Sequence, residues 1–335
     1  MTSSDGCIRN FLQYHGAHTG RWAGRGFQPH NLPRTKTNIA EINNAIEKID
    51  NVTGQEFIKL AQTILPALVI PDSGYTFLMG DFSAIEARGI ALLSGQLDLV
   101  ELFQRDEKVY EIMAAAIFRK PVSKIDKDSF ERYLGKKVVL GCGYGMGEGR
   151  FYETCLDEGL DISEQLASRS VGIFRERYSK IVKFWYDLTN AFSYLCIHRG
   201  VRKVGRLILR RESKYISIQL PSGRLMYYHR PQKTGRDIMY YNHMQKRDVP
   251  IWGGILAENV TQAMCRDILV ECMLQAEKKK LNPVLHVHDE IVCMVKKEDV
   301  KEKEIIFKDI MNTAPAWCRD FPLATEIEIC ERYHK

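Results

Sequence analysis

Apolar residues recur along the chain with two different periods, which predict a mixture of helices and strands. Isoleucines spaced three and four apart predict a helix from Asn38 to about Asp50. The run Tyr75–Met79 predicts a buried strand that ends just before Asp81. Further helices are predicted over 86–93, 97–103, 109–118 and 130–139, over two segments within 163–200, and over 256–275.

Short strands are predicted in two other parts of the chain. One set lies between residues 201 and 230, and a strand pair over 284–295 turns at His288 and Asp289. Residues 15–34 are rich in Gly, Arg and aromatic residues without either period, which predicts an exposed loop. Because helices lie between the strands, the pattern favours an α+β fold with a helical insertion.

Composition adds few constraints. A chain of 335 residues with 45% apolar content is long enough for two or three structural units. The net charge of +6 fits a polyanionic partner, but it also fits many housekeeping enzymes. Nine cysteines without a Cys-x-x-Cys pair or zinc-type histidine spacing predict reduced thiols. No apolar run spans a bilayer and no signal peptide is present, so we expect a cytoplasmic protein with no membrane partner.

Two acidic residues follow apolar strands. Asp81 follows one strand and Asp289 lies in the turn after another, so strands lying side by side would bring their carboxylates together. Two close carboxylates repel each other unless divalent cations bridge them. The hypothesis is that Asp81 and Asp289 bind two Mg²⁺ ions, which prefer hard oxygen donors. The alternative is that each is an ordinary acidic turn residue.

A basic helix offers a second candidate site. Arg132, Lys136, Leu140 and Tyr144 are spaced four apart, so they share one face if the helix continues that far. A triphosphate could lie against the two cations, and the tyrosine ring offers a surface for a base. The alternative is a solvated basic helix that ends in a glycine-rich cap at 141–145.

Three segments taken in order resemble motifs A, B and C of family A DNA polymerases, particularly phage and prophage members. They are Asp-Phe-Ser-x-Ile-Glu-x-Arg from Asp81, Arg-x-x-x-Lys-x-x-x-Leu-Gly-x-x-Tyr-Gly from Arg132, and Val-His-Asp-Glu from Val287. Thr19-Gly20-Arg21 and Asn31-Leu32-Pro33 resemble the family's duplex-contacting loop. The resemblance covers nearly the whole chain.

The resemblance implies a right-hand polymerase fold, in which the palm is an antiparallel sheet and the fingers are a mainly helical insertion. Residues 1–96 would form the first part of the palm with the DNA-contacting loop and motif A. Residues 97–257 would form the fingers with motif B, and residues 258–335 the second part of the palm with motif C.

The resemblance also assigns roles to the acidic residues. Asp81 and Asp289 would bind two catalytic Mg²⁺ ions, with the carbonyl of Phe82 as a further ligand. Glu290 would lie beside them as a catalytic residue. Glu86 would be the steric gate that excludes a ribose 2′-hydroxyl, so the preferred substrate would be a dNTP.

Residues of motif B would bind the incoming dNTP. Arg132 and Lys136 would hold the triphosphate, with Lys136 also catalytic, and Tyr144 would stack near the templating base. Leu140 stands where many members carry Phe or Tyr against the sugar, so discrimination against dideoxynucleotides does not carry over. His288 completes the implied dNTP-binding set.

Four residues match positions that contact the primer-template near the growing end. The match of Gln262 is partial, because the sequence around it fits the family pattern only in part. These implied DNA-binding residues are Arg21, Asn31, Gln262 and His288.

The implied function is DNA synthesis, in which a dNMP from a dNTP is added to a primer 3′-OH by two-metal nucleotidyl transfer. Only about twenty residues precede Arg21, so thumb and 3′–5′ exonuclease domains are expected to be absent and a separate chain could supply them. One alternative is a polymerase remnant that binds nucleic acid but is inactive without that chain. Another is reverse transcription or RNA synthesis, which would not require an acidic gate at Glu86. The expected setting is a bacterial cytoplasm, with the protein encoded by the host or a prophage.

Overall fold

The computed structural model describes residues 3–33 and 39–334. Helices and antiparallel strands are both present, which confirms the predicted α+β class. Contacts divide the chain into two compact units. The first unit comprises Met1–Ser83, Ile268–Thr313 and Ala324–Lys335, and the second comprises Ala84–Asp267 and Ala314–Leu323. The boundaries predicted for palm and fingers, after residues 96 and 257, stay a prediction.

The described residues form eleven α-helices. These are α1 (Ile39–Lys48), α2 (Gly54–Ala67), α3 (Ile85–Ser94), α4 (Leu97–Gln104), α5 (Val109–Phe118), α6 (Phe130–Gly141), α7 (Glu148–Asp157), α8 (Glu164–Arg177), α9 (Ser179–Ile197), α10 (Gly253–Lys278) and α11 (Val300–Asn312).

Twelve strands accompany them in the same part of the chain. They are β1 (Leu12–Gln13), β2 (Ala23–Gly24), β3 (Tyr75–Phe82), β4 (Gly200–Val204), β5 (Leu207–Arg211), β6 (Tyr215–Gln219), β7 (Leu225–Thr234), β8 (Asp237–Asn242), β9 (Arg247–Pro250), β10 (Pro283–Val287), β11 (Glu290–Lys296) and β12 (Thr325–Cys330).

A four-stranded antiparallel sheet organises the first unit, with the strand order β10-β11-β3-β12. Its central strand β3 is almost wholly buried, which explains its continuous apolar sequence. One face packs around Phe77, Met79 and Val292. On the opposite face α11 approaches so closely that a Cβ on Gly80 would lie 2.7 Å from Phe307. A glycine is therefore required immediately before Asp81.

The second unit combines helices α3–α9 with a six-stranded antiparallel sheet in the order β4-β5-β6-β7-β8-β9. Helix α9 packs against one face of this sheet, where the rings of Phe192 and Tyr228 meet edge to face at 5.3 Å. Helices α5 and α6 cross at Gly135, where a Cβ would overlap the carbonyl oxygen of Tyr110. The absence of a side chain therefore sets how closely the two helices approach.

None of the helices in the described residues combines the length and the apolar character that crossing a bilayer requires. All nine cysteines are free, as their unpatterned spacing predicted.

Candidate active site

Two acidic residues predicted to act together lie at the same end of neighbouring strands. In the β3–β11 ladder Asp81 pairs in register with Glu290. The backbone N–H of Phe82 donates a hydrogen bond of 3.2 Å to the carbonyl oxygen of Asp289. Antiparallel partners project their side chains to the same face, so the side chains of Asp81 and Glu290 share a face. The bond from Phe82 holds the backbone of Asp289 beside the end of β3.

The turn that carries Asp289 has an uncommon conformation. His288 and Asp289 form the two-residue connection between β10 and β11, and His288 has a φ of 54°. A left-handed conformation is unfavourable for a residue with a Cβ, and such residues cluster at functional sites. The Nε2 of His288 lies 3.2 Å from the carbonyl oxygen of His30, and because a carbonyl only accepts, this nitrogen donates.

Glu290 is buried next to the segments of Asp81 and Asp289, and it accepts a hydrogen bond from a tyrosine. The Tyr333 hydroxyl donates to a carboxylate oxygen of Glu290 over 2.8 Å, and Glu290 is 9% exposed. On the other side of β3, Glu326 of β12 pairs in register with Asp81. Three carboxylates therefore form a row across three strands. Sequence reasoning missed Glu326, although the alternation of Glu and Ile from 326 to 329 is a strand signal.

The row of Asp81, Glu290 and Glu326, together with Asp289 in the adjoining turn, offers a donor set that fits divalent magnesium. Carboxylate oxygens are the hard ligands that Mg²⁺ prefers, and several acidic groups in one row favour a cation between them. Asp81 is exposed and Asp289 half-buried, whereas Glu290 already accepts the Tyr333 hydrogen bond. Asp81 and Asp289 are thus the better candidates for direct ligands. The Phe82 side chain is buried, and the role of its carbonyl as a further ligand stays a prediction.

Another group of potential ligands lies farther along β12. Among the described residues, the ligand atoms of Glu328, Cys330 and His334 lie within 4.8 Å of one another. The His334 Nε2 lies 3.1 Å from the Glu328 carboxylate, and burial raises the pKa of the Cys330 thiol to about 12. A hydrogen bond between His334 and Glu328 beside a thiol that holds its proton accounts for this group.

The loop predicted to contact DNA packs on the β10–β11 hairpin in the same unit. The rings of Trp22 and His286 meet at 4.5 Å, and those of His30 and His288 at 5.0 Å. Arg21 is half-buried in this loop, and Asn31 is exposed with its amide donating to Gln28 over 2.6 Å. The structure thus brings Arg21, Asn31 and His288 into one region.

Helix α6 in the second unit begins at a capped N-terminus. The Ser129 hydroxyl accepts from the backbone N–H of Arg132 over 3.2 Å. The Nε of Arg132 donates to the Glu111 carboxylate of α5 over 2.8 Å, and its guanidinium carbon lies 5.6 Å from the centre of the Tyr110 ring. Sequence reasoning missed both partners, because only the packing of α5 on α6 reveals them.

Lys136 and Leu140 continue the Arg132 face, and both are exposed. The Nζ of Lys136 lies 5.9 Å from the Tyr110 ring centre. This face therefore presents two cations and an aliphatic side chain to solvent.

Tyr144 does not share this helical face, because the helix ends earlier, in the glycine-rich cap that was the stated alternative. Helix α6 ends at Gly141, and residues 142–144 form a 3₁₀ turn that stops at Gly145 with a φ of 80°. A Cβ at Gly145 would overlap the ring of Trp252, so that glycine ends the segment. Tyr144 turns instead toward Glu86, and its hydroxyl donates to the Glu86 carboxylate over 3.4 Å. Burial, with Glu86 nearby, raises the pKa of Tyr144 well above its usual range.

Gln262 lies on α10 and is half-buried, with its amide donating to Glu258 over 3.3 Å.

Arg88, the last residue of the first motif, is buried. Its guanidinium donates to the carbonyl oxygen of Pro322 over 2.9 Å and lies over the Phe103 ring. Its role is therefore structural.

Comparison with known proteins identifies a family whose sequences match this chain. A family-wide sequence profile described as DNA polymerase family A matches residues 31–335. A DNA polymerase of Bacillus phage SP02 is 34% identical over 351 residues, which covers 99% of this chain and 53% of that protein. DNA polymerase I of Bacillus subtilis is 24% identical over 274 residues, which covers 81% of this chain and 27% of that protein.

The fold has a counterpart among solved structures. The POL domain of Pol1 from M. smegmatis, in complex with DNA primer-template and dNTP, matches 99% of this chain and 49% of its own length with a TM-score of 0.67. Its sequence identity is 19%, so the match shows the fold and confirms the predicted polymerase architecture. The chain spans about half the length of the phage relative and of this domain. The profile match and the phage relative together show that the chain belongs to DNA polymerase family A.

Proposed function

We propose that this chain catalyses template-directed DNA synthesis by transferring a dNMP from a dNTP to a primer 3′-OH, with release of pyrophosphate. The observation that carries the proposal is the in-register pairing of Asp81 with Glu290 beside Asp289 at the end of the four-stranded sheet. This arrangement supplies hard oxygen ligands at one edge.

In this reaction Asp81 and Asp289 hold two Mg²⁺ ions, with the Phe82 carbonyl as a further ligand. When bound, the ions lower the pKa of the primer 3′-hydroxyl and stabilise charge on the leaving pyrophosphate. Glu290, held by Tyr333, keeps a further negative charge beside the ligands and fixes the β10–β11 hairpin.

Arg132 and Lys136 bind the triphosphate and stabilise the charge that develops on it. The Glu111 carboxylate occupies only the Nε of Arg132 in the described contacts. Because a guanidinium carries five N–H donors, its terminal nitrogens suit phosphate oxygens. Leu140 supplies apolar contact for the nucleotide sugar, and His288 is a further dNTP-binding residue.

Glu86 excludes ribonucleotides by filling the space that a 2′-hydroxyl needs. Its hydrogen bond with Tyr144 supports the role, because a tethered carboxylate samples fewer positions. Tyr144 then presents its ring near the templating base.

The nucleic acid partner is a DNA primer-template, contacted by Arg21, Asn31, Gln262 and His288. The relatives are phage and bacterial proteins, so the expected setting is a bacterial cytoplasm.

Primer extension tests the proposal. Asp81→Asn and Asp289→Asn should each abolish Mg²⁺-dependent extension while the melting temperature stays that of the unmodified chain. Asp72→Asn is the matched control, because this exposed aspartate precedes the opposite end of β3. Undiminished extension by either site variant refutes the assignment.

Since the chain spans about half the length of its phage relative, extension is measured with and without a second chain that supplies thumb and exonuclease domains. Activity only in the presence of that chain would favour a split enzyme. Binding without extension in both cases would favour an inactive remnant.

A further inference from the structure

The six-stranded sheet of the second unit has one face that α9 does not cover. The covered face carries the buried side chains of β5–β8, among them Leu209, Ile216 and Tyr228. Strand alternation places the next residues on the opposite face. There Tyr215, His229 and Tyr241 pair in register across β6, β7 and β8.

This row of rings is continuous. Tyr215 lies 5.8 Å from His229 between ring centres, His243 lies 4.6 Å from His229, and Tyr241 lies 5.0 Å from His243. Tyr227 joins the row at 5.1 Å from Tyr215. We call these five residues, Tyr215, Tyr227, His229, Tyr241 and His243, the aromatic face.

The aromatic face is open to solvent. Tyr227 is 41% exposed, His243 is exposed, and the other three rings are partly exposed. Burial and the neighbouring His243 lower the pKa of His229. The solvent side of an antiparallel sheet usually carries polar side chains, and here it presents flat ring surfaces instead.

Cations surround these rings. Arg210 shares the open face in the row Arg210, Ser217, Tyr227 across β5, β6 and β7. The guanidinium of Arg230 lies 4.9 Å from the centre of the Tyr241 ring. Both arginines are exposed.

The charge of the whole chain is concentrated in this sheet. Residues 200–250 contain twelve Lys or Arg and three Asp or Glu, a net charge of +9. Since the whole chain carries +6, the remaining residues together carry −3. Cross-strand aromatic pairs also stabilise a sheet, but sheet stability does not require this concentration of positive charge. The cationic side chains repel one another unless an anion binds between them.

We propose that the aromatic face binds single-stranded DNA, with bases stacked on its rings and phosphates paired with Arg210 and Arg230. A polyanion with accessible flat bases matches both features, whereas a duplex hides the faces of its bases. The choice of DNA over RNA rests on the proposed polymerase function. The binding of a single strand to this sheet does not.

Fluorescence anisotropy of a labelled oligothymidine with the full chain in Mg²⁺-free buffer tests this proposal. Tyr227→Ala should weaken binding about tenfold, because it removes one stacking surface. Tyr227→Phe should bind like the unmodified chain, since it keeps the ring. Tyr186→Ala is the matched control, because Tyr186 is a 66% exposed tyrosine on α9 outside the sheet, and it should change nothing.

The exposed Arg210 gives an independent test that does not disturb the rings. Arg210→Gln should reduce the slope of log affinity against log salt by about 0.7, because one phosphate contact is lost. Melting curves of each variant check that the sheet remains folded.

Equal affinities of Tyr227→Ala and Tyr186→Ala, or equally effective competition by a duplex, would overturn the proposal. Equal affinity for an RNA of the same sequence would overturn the assignment to DNA. Asp81→Asn should keep its affinity for the oligothymidine, so failure of the proposed catalytic function and failure of this binding site give different results.

Discussion

Replacing Gly135 with alanine should force α5 and α6 apart. The new Cβ would overlap the Tyr110 carbonyl oxygen and lie 3.0 Å from the Ala114 nitrogen. Both atoms belong to the α5 backbone, so the conflict cannot be relieved by a side-chain rotation. The helices must instead separate by about 1 Å to restore ordinary contact.

The change in the free energy of unfolding is the difference between two opposing effects. Overpacking of this kind destabilises by about 2–3 kcal/mol, and the higher helix propensity of alanine returns about 1 kcal/mol. The net loss of about 1–2 kcal/mol should lower the melting temperature by about 1–3 °C. Arg132 and Lys136 flank Gly135, so their positions should change as well.

The assay is thermal and urea unfolding followed by tryptophan fluorescence. Gly172→Ala is the control, because Gly172 lies within α8 and a Cβ there meets nothing within 4 Å. That variant should gain about 0.5–1 kcal/mol from helix propensity alone. A Gly135→Ala chain that is as stable as Gly172→Ala would refute the close approach of α5 and α6.

Three further results are expected. Glu111→Gln should raise the KM for dNTP about tenfold with little change in kcat, because Arg132 loses a charged partner. Glu131→Gln is the control, because it removes the carboxylate on α6 that pairs with Lys120, and it should leave both constants unchanged. Equal effects of the two variants would contradict a positioning role for Glu111. Glu86→Ala should increase ribonucleotide incorporation, whereas Glu86→Gln should not, because Gln is as large as Glu. Unchanged steady-state ribonucleotide incorporation by Glu86→Ala would contradict the role of Glu86 as a steric gate. Burial raises the pKa of the thiols of Cys142, Cys272 and Cys293 to about 12. The folded state therefore retains protons that the unfolded state loses above about pH 9, so the free energy of unfolding should fall as the pH rises from 9 toward 12. A free energy of unfolding that stays constant over this range in urea unfolding would contradict this.

Elements with strong local patterns were predicted well. Helix α5 has the predicted bounds Val109–Phe118, and the predicted strand from Tyr75 became β3 with three more residues. Apolar periodicity determines such elements, because their buried faces must be continuous. The turn at His288 and Asp289 was also predicted, since two apolar runs flank it closely.

Other elements depend on distant partners. Strand β12 pairs with β3 across more than 240 residues, so the local strand signal of its alternating Glu and Ile residues does not indicate which sheet it completes. Helix α11 combines six apolar residues with Lys and Glu over thirteen positions, but its apolar contact with Gly80 through Phe307 appears only in the folded chain. Helices α2 and α7 were also not predicted, although their apolar residues recur at helical spacing.

Some residues of the candidate site could be predicted from the sequence and others could not. The motif residues could be named from the sequence, because their order resembles a known family. The Glu111 partner of Arg132, the Tyr333 partner of Glu290 and the row position of Glu326 could not, because each depends on packing between segments far apart in the chain. Whether α6 continues to Tyr144 or ends in the glycine-rich segment was left open, because an i, i+4 spacing carries no information about where a helix stops.

The most direct test of the central claim is a Mn²⁺ titration of the chain with primer-template and dNTP, with free Mn²⁺ followed by electron paramagnetic resonance. Asp81→Asn and Asp289→Asn should each weaken Mn²⁺ binding at least about tenfold relative to the Asp72→Asn control, because each removes a charged ligand. Mn²⁺ affinities that remain the same in all three variants would contradict the assignment of the two aspartates as metal ligands.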